Sequence, residues 1–137
     1  MSALLFDDAD IISQYTRAEA IEDGILVDMT VEPFGSLARE AGLKWPIAMT
    51  ATAFNAFVAV DDEGGAKGHA GQDERGRWWD CVFMFRRTRR EISPLEARWK
   101  LIVRDPDGRN RLKELKCVSG PADDMSPCLT FMLPGED

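Results

Sequence analysis

Apolar positions along this chain follow two spacings, helical in the first half and alternating in the second. Phe34, Leu37, Ala38 and Ala41 follow Pro33 at the i, i+3, i+4, i+7 spacing of one apolar helix face, and Gly42 supplies a stop. Thr50 stands where its hydroxyl caps a helix over Ala51 to Val60, with Ala53, Phe54, Phe57 and Val58 on one face. Thr16-Arg17-Ala18-Glu19 is a capping box, opening a short helix that Gly24 ends. Ile25-Leu26-Val27 is a short buried strand ending at Asp28, and Trp45 to Met49 is extended because Pro46 biases Trp45 away from helix.

Further along, the period drops to two. Arg98 to Arg104 places Trp99, Leu101 and Val103 on one face of a strand. Asp105-Pro106-Asp107-Gly108 is a turn in which Pro presets one corner and Gly accepts positive φ at another. Leu112 to Val118 returns as the partner strand, and Cys128 to Leu133 adds a third beyond the loop at Gly120 to Asp124. An apolar run so close to the last residue is tied into the sheet rather than left to fray. Residues 78–90 carry both signals. Trp78, Trp79, Phe83 and Phe85 suit a strand, whereas Asp80 early and arginines late complement a helix dipole, and we assign helix. The sum predicts an α+β fold with N-terminal helices packed on a small C-terminal antiparallel sheet of about three to four strands. Residues 1–137 form one domain, interrupted by a flexible Gly-rich loop at 61–76.

Charge adds an asymmetry that the total of −7 hides. Residues 1–66 hold 12 acids and 3 bases, whereas residues 86–116 hold 11 bases and 5 acids. Such an acidic total repels phosphates at long range and suits a basic partner. The acidic surface predicted to meet that partner comprises Asp7, Asp8, Asp10, Glu22, Asp23, Asp123, Asp124, Glu136 and Asp137. Against it stands the cluster Arg86, Arg87, Arg89 and Arg90, which beside Trp78, Trp79 and Trp99 suggests phosphate contact with base stacking. The competing reading buries the tryptophans in the core and pairs the arginines with acids of the N-terminal half.

Catalytic chemistry finds little purchase. The single histidine, His69, sits in the Gly-rich loop, where a general base would be poorly held. That loop lacks the Gly-Lys-Ser/Thr ending of a phosphate-binding loop, and Asp61-Asp62-Glu63 lacks the alternating ligands of a calcium loop. Cys81, Cys117 and Cys128 have no metal-ligand spacing and read as reduced thiols of a cytoplasmic protein. The N-terminus has no basic segment of the kind that opens a secretory signal, and no apolar run is long enough to cross a bilayer. No catalytic residue, metal or cofactor is assigned, although Asp80, Asp123 and Asp124 would be the carboxylates of an unfamiliar enzyme site.

Several blocks carry a resemblance. They are Tyr15 to Gly24 with Leu26 and Asp28, Pro46 with Thr50, Arg77 with Trp79 and Asp80, and Leu115-Lys116. Gly120-Pro121 with Asp123-Asp124, and Met132 to Asp137, complete them. Together they resemble an uncharacterised family of small proteins borne on plasmids, integrative elements and phages. The resemblance implies an accessory protein of a mobile element. With the charge balance, it leads to the expectation of a non-enzymatic inhibitor of the anti-CRISPR or anti-restriction type. Such a DNA mimic covers the basic nucleic-acid-binding surface of a host protein or ribonucleoprotein. The alternative is a nucleic-acid-binding accessory factor using Arg86 to Arg90.

Overall fold

A computed structural model of the chain describes residues 16–60 and 72–136. Chain order runs α1 (Arg17–Glu22), β1 (Leu26–Asp28), α2 (Phe34–Glu40), β2 (Ile47–Thr50) and α3 (Ala51–Phe57). It continues with α4 (Glu74–Thr88), β3 (Arg90–Ser93), β4 (Glu96–Arg104), β5 (Asn110–Pro121) and β6 (Pro127–Met132). The strands form one six-stranded sheet in the order β1-β2-β6-β5-β4-β3.

This corrects the predicted architecture. The sheet is neither confined to the C-terminal part nor limited to three or four strands, and it is mixed rather than antiparallel. The reason is β6, which runs parallel to β2 (Ile47 opposite Leu129) and antiparallel to β5 (Cys117 opposite Phe131). It stitches the N-terminal pair β1–β2 onto the meander β3–β4–β5. The closing apolar run is indeed tied in, and at the centre of the sheet rather than at its margin.

Local signals built most of the elements. Thr16 Oγ1 accepts from the Glu19 N–H at 3.0 Å while Glu19 Oε1 takes the Thr16 N–H, closing the capping box. Thr50 caps α3 through the Ala53 N–H, also as its position predicts. The turn from β4 to β5 places Gly108 at φ +83°, where a side chain would strain the backbone. Residues 78–88 are helical, and α4 starts earlier than the sequence suggests: Asp73 caps it, so residues 74–76 belong to the helix rather than to the loop.

The main core lies between the sheet and α2, α3 and α4. Alternate residues of β4 and β5 (Trp99, Leu101, Val103, Leu115, Cys117) meet Trp78, Val82 and Phe85 of α4, with Phe131 of β6 between them. Aromatic edges fix this contact: Trp99 lies 4.8 Å from both Phe85 and Phe131, centroid to centroid. Each buried indole N–H has an acceptor, Phe34 O for Trp78 and Cys81 O for Trp99. Trp78 and Trp99 are therefore core, Trp79 is partly buried, and Trp45 is 48% exposed. On the opposite face, Ala20 of α1 is buried with Ala48, Cys128 and Met132, apart from the main cluster.

Candidate functional site

Sheet order converts the charge asymmetry of the sequence into a spatial one. Residues 72–116, which build α4, β3, β4 and most of β5, hold 13 Lys/Arg and 8 Asp/Glu. The remaining described residues build β1, β2, β6 and the three shorter helices, and hold 3 Lys/Arg and 9 Asp/Glu. One edge of the sheet is thus acidic and the other basic.

The carboxylates predicted to form a partner surface divide into different roles. Asp7, Asp8, Asp10 and Asp137 lie outside the described residues. Asp123 faces inward to the protein's own backbone, accepting the N–H groups of Arg17 at 2.9 Å and Ala18 at 3.0 Å at the start of α1. Glu136 is similarly engaged, accepting from Thr50 Oγ1, Thr52 Oγ1 and the Leu133 N–H. Burial alone would raise its carboxyl, but these three donors outweigh it and hold the pKa below the ordinary range. Asp124 stays on the exposed turn, its carboxyl lowered by the Ser126 hydroxyl and N–H. Glu22 and Asp23 are exposed at the other end of α1. The structure therefore brings Glu22, Asp23, Asp123 and Asp124 to the two ends of one short helix.

The four arginines also separate. Arg87 lies over the Phe83 ring on the exposed side of α4, and Arg90 begins β3 opposite Arg98. Arg86 and Arg89 lie three residues apart, on one face of the helix end, and both line a cleft of about 360 Å³. Leu43 and Trp45 before β2 and Leu95 in the β3–β4 turn form its walls, with Cys117, Ser119 and Leu129 on the sheet. None of the four arginines forms an ion pair among the described residues, so the predicted pairing with N-terminal acids is not seen there.

Sequence reasoning named the two arginines but missed the cleft around them. Gly42, which it took only as a helix stop, is what admits Arg86. Gly42 has φ +96°, and a Cβ there would stand 3.0 Å from Arg86 Nε.

Burial pushes the Cys117 thiol up to about 12, so it is a neutral floor rather than a nucleophile. Among the described residues no group of three His, Cys, Asp or Glu is placed to hold a metal ion. Asp80 sits beside Arg77 on α4, with its carboxyl raised by burial, whereas Asp123 and Asp124 lie by α1; the three carboxylates do not form one constellation. His69 lies outside the described residues. No described helix is long and apolar enough to cross a membrane.

Comparison with known proteins places the chain without assigning it an activity. Residues 1–137 match a family of unknown function (DUF6573), and the chain belongs to that family. No curated protein and no solved structure matches it.

Proposed function

We propose that the protein acts by binding rather than by catalysis, docking its acidic edge on a basic protein or ribonucleoprotein surface. The observation that carries this is the segregation of charge across the sheet, with 9 acids against 3 bases on one side among the described residues. Charge complementarity of this kind steers encounter and selects partners of opposite sign. Glu22, Asp23 and Asp124 carry exposed charge at the ends of α1, and Asp123 and Glu136 hold the backbone that presents it. In its specific form the reading is an inhibitor that covers the nucleic-acid channel of a host defence complex. The mobile-element context implied by the residue blocks above belongs to this proposal.

The test is a gel shift with an RNA-guided effector complex and its target DNA, with and without the protein. A parallel lane holds the protein and DNA alone. Loss of the effector–DNA band, reversed by the triple change Glu22→Lys, Asp23→Lys and Asp124→Lys and weakened by salt, is the expected result. An unchanged effector–DNA band across a panel of such complexes would sink the inhibitor reading. A shift in the protein–DNA lane would favour the nucleic-acid reading through the basic edge.

A further inference from the structure

We infer that the cleft beside the end of α4 is a binding site for a nucleoside monophosphate or the phosphorylated end of a strand. The ligand carries one anionic head and one flat, donor-bearing ring. This goes beyond the acidic edge: the cleft straddles the charge divide, takes its cations from the basic side, and stands or falls independently of the acidic carboxylates.

Four observations converge on that chemistry. The cleft measures about 360 Å³, within the range of pockets that enclose small organic ligands. Two guanidinium groups line it without an ion pair among the described residues. Both are exposed, and each has a neighbour within the protein. Arg86 lies against Gly42, and Arg89 stacks 5.1 Å from the Phe85 centroid while donating to Arg86 O at 3.4 Å. Guanidinium forks favour a phosphate or carboxylate, which they bind through paired N–H donors.

The walls supply the rest. Trp45 and Leu95 line the same cleft yet are 48% and 61% exposed, a flat ring and an apolar side chain left in water. An aromatic ring laid on Trp45 would recover that surface. Two carboxylates also line the cleft: Glu96, which is paired with Arg98, and Glu91 from β3, which has no ion pair among the described residues. The Glu91 carboxylate would accept ring amino groups and repel a second phosphate. That combination disfavours a polyanion running through the cleft and favours a single anionic head with a hydrogen-bond-donating ring.

The experiment uses tryptophan emission, since Trp45 is the most exposed of the four indoles. Adenosine monophosphate, adenosine, inorganic phosphate and a short 5′-phosphorylated single strand are each titrated into the protein. Saturable quenching by adenosine monophosphate or by the strand is expected, with adenosine and phosphate each weaker by about tenfold or more. Tighter binding of the strand would identify a strand end as the ligand, and tighter binding of the monophosphate a free nucleotide. The double variant Arg86→Gln, Arg89→Gln should lose about tenfold or more with an unchanged melting curve. Trp45→Phe should remove the quench while calorimetry still records binding. Absence of saturable binding at millimolar ligand, equal binding of adenosine, or undiminished binding by the double variant would each overturn the site.

Discussion

Arg77 near the start of α4 and the pair Arg86 and Arg89 at its end are used in opposite ways. Near its start, Arg77 is only 5% exposed and serves as a junction. Its guanidinium donates to Gln72 Oε1, to Arg104 O at the end of β4 and to Ala56 O in α3, which pins three segments together. Among the described residues Nε alone has no acceptor, and burial lowers the pKa of the group. Beside it, Asp105 takes both Lys113 and Arg111. Arg89 lies twelve positions after Arg77, yet at the far end Arg86 and Arg89 form no ion pair among the described residues and open onto the cleft. Arg77 serves the fold, whereas Arg86 and Arg89 stay exposed and without an ion pair among the described residues. Charge counted along a sequence does not distinguish these uses; the acceptors that surround each side chain do.

The sharpest way to break the comparison is to truncate the buried arginine. Arg77→Ala should lower unfolding free energy by about 2–4 kcal/mol, since it opens a cavity and strips donors from two backbone carbonyls. Arg77→Met, which refills the volume but restores no donor, should still cost about 1–2 kcal/mol in the same urea titration. Equal stability of Arg77→Met and the parent would show that volume alone matters at that end.

Asp105 comes next. Burial by itself would raise its carboxyl, but the hydrogen bonds from Lys113 and Arg111 outweigh that and hold it below the ordinary carboxylate range. Arg111 also lowers the exposed Asp107 to about 2. A depressed folded-state pKa contributes stability that is complete above the unfolded value of about 4 and is lost as pH falls through the folded one. Melting temperature should therefore drop on acidification from about pH 5 to about pH 2. Asp105→Asn should flatten part of that slope and cost about 1–2 kcal/mol at neutral pH. A slope unchanged by the substitution would remove Asp105 from the account.

The smallest effect belongs to the open end. Arg86→Gln and Arg89→Gln, singly, should move stability by less than about 0.5 kcal/mol, as changes at exposed side chains with weak contacts do. A larger loss in either would mean that this arginine too supports the fold.

Elements were far more legible than their arrangement. The helix caps at Thr16 and Thr50, the alternation of Trp99, Leu101 and Val103, and the Asp105–Gly108 turn are local events, set by residues within a few positions of one another. What failed was partner choice. Residues 26–28 and 47–50 read as extended, but strands of three and four residues carry no mark of a neighbour some eighty positions away. β3 escaped notice because all four of its residues are exposed, so no apolar alternation betrays it. The cleft was hidden for the same reason, since its walls come from separate stretches of chain and only Arg86 and Arg89 attracted attention beforehand. A Gly42–Trp45 segment ending in an indole before Pro46 was the available clue, and it reads equally as a helix stop followed by a strand. The acidic residues were legible as charge but not as duty: nothing near Asp123 in sequence says that it caps α1.

The central place of β6 also bears on how the molecule comes into being. A chain growing from its N-terminus makes β1 and β2 early and β3, β4 and β5 much later, yet these two groups share no strand pairing with each other. Without β6 each group would have an edge with no strand beside it, since β2 and β5 meet only through that strand. Assembly of the whole therefore waits on a single late insertion, with loop closure between Ile47 and Leu129 as its slowest entropic demand. β6 is thus the strand through which the acidic and basic sides are joined into one sheet.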